Sequence, residues 1–285
     1  MNNATTASPD GSINTAAGRF GSGLAVKRLE DDLLLAGKGR FTDDVRLEGQ
    51  THVLFLRSPY PHARITSIDT SAAKGMPGVL LVVTGAELVQ AGVKPLAGVM
   101  GLKRADGTDC ATPPKHPLAH ERVRYVGEPV AAVVASTMEQ ARNAAEAIAV
   151  DYDELPMVVD LADAQAAGAP VICDAAPDNI AAEMSHGNAA ATSAAFAAAK
   201  HVVTLDITNQ RVAALTLEPR AVLAYPEEKT GRLTIRLSSQ MPSGLRDSVC
   251  ASLSLPKDRV RVVVGDVGGG FGMKTGAYPE DVAVA

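Results

Sequence analysis

Apolar and polar residues alternate along some stretches of this 285-residue chain and recur at helical spacing along others. Strict alternation marks a strand, because successive side chains point to opposite faces, and a repeat of roughly 3.6 residues marks a helix. His52 to Leu56 is an apolar stretch of strand length. Val79 to Val83 is a second, and it runs into Thr84-Gly85-Ala86-Glu87, where Thr and Glu have capping-box spacing for a short helix. Pro129 to Ala135 is continuously apolar, as in a strand covered on both faces. Ser136 and Glu139 then have the spacing of another capping box. Met138, Ala141, Ala145 and Ile148 share one helical face before a strand near Ala149 to Tyr152.

Other stretches have no such order. Gln90 to Pro117 holds many Gly and Pro residues and no period, so a long loop or excursion is expected. From Asp163 to Ala199 the composition shifts to Ala, Gly, Asn and Pro with little charge. That places a linker over 163–199, between a first domain at 24–162 and a second at 200–285. In the second, His201 to Thr208 alternates, with Val203, Leu205 and Ile207 on one side, and Leu233, Ile235 and Leu237 repeat the pattern. Pro242 and Ser243 open a helical segment in which Leu245, Val249 and Leu253 share a face, and Arg259 to Val264 forms a further strand.

Composition narrows the class. With no Trp, 4% aromatic residues and a net charge of -5, little is available to stack on bases or neutralise phosphates, so nucleic acid is not an expected partner. The cysteines Cys110, Cys173 and Cys250 are too few and too scattered for a disulfide framework or the thiolate set of an iron–sulfur cluster. No uncharged apolar run approaches the roughly 20 residues of a spanning helix, so no membrane is expected either. Residues 1–23 are small and polar and lack the apolar core of a secretory signal. They are expected to be a disordered tail on a cytoplasmic protein.

The strongest chemical signal is Gly265-Asp266-Val267-Gly268-Gly269-Gly270-Phe271-Gly272-Met273-Lys274, directly after the strand ending at Val264. Consecutive glycines leave backbone N–H groups unshielded, so an anion can approach them, although a tight turn needing positive φ would use the same residues. The run is neither a Walker loop, since Met273 separates Gly272 from Lys274, nor a dinucleotide fingerprint, which needs Gly or Ala at 273. If the strands ending near Ser238 and Val264 are parallel, joined by the intervening helix, their carboxyl ends share one sheet edge. Gln240 and the loop then face one crevice.

Other candidates read as structure. Arg57, His62 and Arg64 fit a buried, hydrogen-bonded turn, and Glu218 of Glu218-Pro219-Arg220 fits an ion pair with a nearby arginine. The histidines, His116 and His120 included, show no paired helical spacing, so no metal ligand set is expected from them.

Several segments occur in one order: Arg40-Phe41-Thr42-Asp43-Asp44, Arg57-Ser58-Pro59 through Ile65, Val126-Gly127-Glu128-Pro129-Val130-Ala131, Glu218-Pro219-Arg220, Gln240, and Val267 to Lys274. This set resembles the start of the molybdopterin-binding large subunit of the xanthine dehydrogenase, aldehyde oxidase and carbon monoxide dehydrogenase family, over about Leu24 to Ala285. The resemblance implies an α+β chain: an α/β hammerhead domain at 24–162, then the first part of a molybdenum-cofactor-binding domain. It implies a molybdenum hydroxylase that oxidises an aldehyde or N-heteroaromatic carbon with oxygen drawn from water. Carried over, Gln240 hydrogen-bonds an oxygen ligand of the metal and is the catalytic candidate. Gly269, Gly270, Phe271 and Gly272 hold the molybdopterin, in its cytosine dinucleotide form.

The resemblance further implies [2Fe-2S] clusters on a small subunit and FAD on a medium subunit. Large subunits of the family continue well past the position of Ala285, and that continuation carries the general-base glutamate. The chain is therefore expected to need the remaining part of the large subunit and to be inactive alone. Thr275 stands where purine-oxidising members carry a glutamate, which speaks against a purine substrate. Two other readings are a non-catalytic assembly module that kept the fold, and an atypical nucleotide-binding protein using the glycine loop for phosphate.

Overall fold

The computed structural model describes residues 28–98, 101–210 and 212–285, and the expected tail at 1–23 lies outside them. The chain divides into two units, Met1–Arg40 and Phe41–Ala285. In the smaller, helix α1 (Asp31–Leu35) buries no residue and carries Asp31 and Asp32 in its first turn, where carboxylates oppose the helix dipole favourably.

The first part of the larger unit contains, in order, β1 (His52–Arg57), β2 (Ala63–Asp69), α2 (Ser71–Lys74), β3 (Val79–Thr84), α3 (Gly85–Gln90), β4 (Arg122–Val123), β5 (Pro129–Ala135), α4 (Met138–Glu146) and β6 (Ala149–Glu154). The continuously apolar run becomes the central strand β5, flanked by β1 and β3, both antiparallel to it. Ala131, Val133 and Ala135 of β5 meet Ala141, Ala144 and Ala145 of α4 in one buried cluster, which Leu54, Leu56 and Val82 complete. Small alanines let the helix approach closely, and each fully buried Val or Leu is worth roughly 1.5–3 kcal/mol. A second sheet, β4-β2-β6, encloses Ala63, Val123 and Val130.

Two local readings were off. The cap of α4 is Thr137, one residue later than Ser136: its hydroxyl accepts from Gln140 N at 3.2 Å. Thr137 and Gln140 have the same i to i+3 spacing, so the helix had two registers on offer. Strand β2 also escaped the pattern, because most of its side chains are polar or exposed and no alternation shows.

Among its described residues the excursion after α3 has only isolated bridges, yet it is anchored. Lys94 N donates to Ser252 O at 2.8 Å, and Arg104 Nη2 holds Asp178 at 2.9 Å. Helices α5 (Leu161–Ala164) and α6 (Ala189–Ala198) follow. The second forms on alanine propensity and an Asn188 cap, and it buries nothing.

His201 to Thr208 forms no strand. Val203, Leu205 and Ile207 are 91%, 76% and 79% exposed. Alternation supplies an apolar face, but a strand also needs a neighbour for its backbone groups, and none pairs with it among the described residues.

The chain then builds β7 (Val222–Pro226), β8 (Leu233–Leu237), α7 (Pro242–Leu253), β9 (Val260–Val263) and α8 (Pro279–Val284). β7 pairs antiparallel with β8, and β8 pairs parallel with β9 in the register Leu233↔Val260 to Arg236↔Val263. Helix α7 is the crossover between the parallel pair. Its Pro242 starts the first turn, where no amide is missed, and Leu245 and Val249 pack on Ile235, Leu237 and Val260. The carboxyl ends of β8 and β9 therefore share an edge, as the sequence predicts.

Candidate functional site

Gln240 leaves the end of β8 and meets the glycine loop that leaves the end of β9. Gln240 N donates to Lys274 O at 2.8 Å, and Gln240 Oε1 accepts from the amides of Gly272 and Lys274 at 3.1 and 3.3 Å. Two N–H donors on one side-chain oxygen fix which way the carboxamide faces and leave the Nε2 donors for another group. A Cβ on Gly270 would lie 2.5 Å from the Gln240 carboxamide carbon, so a side chain there would displace the carboxamide.

The loop backbone is unusual in conformation and in hydrogen bonding. Gly269, Phe271 and Gly272 have φ of +99°, +47° and +84°. For phenylalanine this left-handed conformation is strained, and such strain concentrates at ligand sites. Gly268 N donates to Glu218, Gly272 and Lys274 N to Gln240, and Met273 N to Gly270 O. The amides of Gly269, Gly270 and Phe271 donate to no group among the described residues. Consecutive free amides in a loop of mixed φ sign form a concave donor site for anions. Donors beside a carboxamide suit an oxygen-rich, anionic cofactor, so the residues present fit a molybdopterin group.

Beneath the loop, Lys274 is 2% exposed, and its Nζ lies 3.0 Å from both Glu218 Oε2 and Glu218 O. The same Oε2 accepts from Gly268 N at 2.8 Å, and Glu218 Oε1 accepts from Thr42 N at 3.5 Å. Burial pushes the Glu218 carboxyl up, but the Gly268 amide and the Lys274 ammonium outweigh it and hold the group below the usual carboxylate range. Glu218 thus pairs with a lysine of the loop rather than with the arginine the sequence suggested. Arg220 stacks 3.4 Å over the Tyr278 ring and reaches Asp281 at 3.4 Å. Burial raises the Asp281 carboxyl despite that arginine and the Tyr278 amide it caps.

The remaining motifs support this edge or lie apart from it. Arg57 bridges Gly127 O at 2.9 Å and Glu280 at 2.8 Å. His62 is buried, with Nδ1 2.6 Å from Pro156 O. Arg64 lies on β2 opposite Asp153 of β6. His116 and His120 meet edge-on at 4.6 Å. Thr275 closes the loop by donating to Gly272 O at 2.7 Å. A groove of about 970 Å³ runs between the outer face of β1-β5-β3 and β7 with α8, but neither Gln240 nor any residue of the loop lines it. The pairing that sequence reasoning missed is Glu218 with Lys274. A lysine closing a glycine run was the available signal, but its partner lies 56 residues away.

Residues 36–156 match the family described as aldehyde oxidase and xanthine dehydrogenase, a/b hammerhead domain, and residues 172–285 match the molybdopterin cofactor-binding domain. The chain belongs to the molybdenum hydroxylase large-subunit family. It is 38% identical over 262 residues to the nicotine 6-hydroxylase large subunit of Paenarthrobacter nicotinovorans, covering 91% of this chain and 31% of the relative. It is 35% identical over 290 residues to the carbon monoxide dehydrogenase large chain of Afipia carboxidovorans, covering 98% and 34%. Among solved structures, quinoline 2-oxidoreductase from Pseudomonas putida 86 superposes with a TM-score of 0.78 at 35% identity, covering 91% of this chain and 32% of that one. The chain spans about a third of the length of the curated relatives it matches.

Proposed function

We propose that this chain is a portion of the catalytic subunit of a molybdenum hydroxylase that oxidises an aldehyde or N-heteroaromatic carbon with water-derived oxygen. The observation that carries this reading is the row of unpartnered amides at Gly269, Gly270 and Phe271, set beside the fixed carboxamide of Gln240. When bound, the molybdenum–pterin group supplies two-electron redox chemistry at the substrate carbon. The chain's own residues bind and orient it. The loop amides of Gly269, Gly270 and Phe271 hold its anionic atoms, and Gln240 Nε2 donates toward its oxygen atoms. Because these donors are fixed before the group arrives, little reorganisation is needed on binding.

Catalysis in this reading needs the length of the relatives that lies beyond the matched part, which supplies further cofactor contacts and the general base. The cofactor is the cytosine dinucleotide form. The electrons leave through [2Fe-2S] clusters on a small subunit and FAD on a medium subunit, in a cytoplasmic complex. Without that remaining length, these residues bind cofactor poorly and turn nothing over, because an incomplete shell cannot hold the reacting geometry. The test is co-expression of these residues with a polypeptide that carries that remaining length, followed by dye-linked oxidation of quinoline and of an aromatic aldehyde. Turnover by the pair and none by the isolated chain supports the reading; dye-linked turnover by the isolated chain contradicts it.

A further inference from the structure

We propose that Glu218 and Lys274 form a buried clamp that positions the glycine loop and Gln240 for the cofactor, an inference that rests on the reading above. A lysine is almost never fully buried unless paired, and Lys274 is among the largest fully buried side chains of the chain. Its Nζ donates to the backbone oxygen and to Oε2 of Glu218, each at 3.0 Å. That Oε2 also accepts from Gly268 N at 2.8 Å. One carboxylate oxygen therefore registers both ends of the loop, Gly268 and Lys274, while the amides between them at Gly269 to Phe271 stay unpartnered.

The clamp extends to the carboxamide. Lys274 contributes both its backbone N–H and its C=O to Gln240, so fixing Lys274 fixes Gln240. Close packing enforces the same register, since a Cβ on Gly268 would run into Glu218 Cβ. Stability alone does not call for such a pair, because a buried ion pair is often replaceable by apolar residues of similar volume without loss. What an apolar pair cannot reproduce is a single acceptor shared between the two loop ends.

The experiment uses the chain assembled with the polypeptide that supplies the rest of the large subunit, as wild type, Lys274→Met, Glu218→Gln and the double variant. Molybdenum and pterin per chain are measured beside the melting temperature. Each single variant is expected to melt lower and to carry about tenfold less cofactor, as outer-shell changes at metal sites do. The double variant is expected to regain melting temperature, since no uncompensated charge stays buried, yet to remain cofactor-poor. Glu218→Gln keeps nearly the same volume but removes the charge opposite the Lys274 ammonium, so it carries the test where Lys274→Met yields no soluble complex. Wild-type loading in the single variants or in the double overturns the clamp while the proposed function stands. A double variant that recovers neither property reduces the pair to structural support and also overturns it. A wild-type complex that is folded but free of pterin overturns both.

Discussion

Gln240 and Gly270 are packed so closely that the glycine's missing Cβ would sit 2.5 Å from the carboxamide carbon. Gly270→Ala therefore has to move Gln240 or the loop. The expected cost is about 1–3 kcal/mol, typical of overpacking, together with loss of cofactor from the assembled complex. Gly272 is the control: it has φ of +84° but open space around its Cβ position. Gly272→Ala is expected to cost only backbone strain, roughly 1–2 kcal/mol, with Gln240 left in place. Chemical denaturation and cofactor content of the two variants check the order, and equal loading would contradict the close-packing argument.

The charge state of Glu218 sets an acid limit for the loop. Its carboxyl is held below the usual range in the fold, so the unfolded chain takes up the proton first as pH falls. The stabilisation is present above the unperturbed value of 4.5 and is lost as pH drops from there through the lower folded value. Protection of the Gly268 amide, its exchange rate taken relative to the intrinsic rate at each pH, is expected to fall over that acid window in the wild type. Glu218→Gln should flatten the response, and an unchanged response in that variant would assign the titration to another group.

Helix α7 links the two strands that present the site, and Leu245 in its first turn is 1% exposed. Leu245→Ala is expected to destabilise by about 2–5 kcal/mol in urea unfolding. Ala191→Gly in the exposed helix α6 should cost no more than its helix propensity, roughly 1 kcal/mol. A large effect at Ala191 would mean that α6 packs against something.

Where one face of an element is buried by its near neighbours, the sequence was readable. β5 has the bounds its apolar run predicts, and α7 follows Pro242 with Leu245 and Val249 inward. The sheet edge shared by Gln240 and the loop also followed, because a strand–helix–strand crossover makes the strands parallel. Reading failed where long-range partners decide. Alternation at His201 to Thr208 predicted a strand that finds no partner among the described residues, and the Glu218–Lys274 pair spans 56 residues that no local pattern connects. The α4 start was ambiguous between two caps; Thr137→Ala should cost about 1 kcal/mol of stability and Ser136→Ala close to nothing, measured by thermal melting.

The central claim is that the amides of Gly269 to Phe271 and the carboxamide of Gln240 cradle a molybdenum–pterin group. The most direct measurement is molybdenum and pterin content of the chain purified in complex with the polypeptide completing its large subunit, with the Gly270→Ala complex beside it. The account expects near-stoichiometric molybdenum and pterin in the wild-type complex and a strong loss of both in the variant. A folded wild-type complex without either, or a Gly270→Ala complex loaded to the same level, would contradict it.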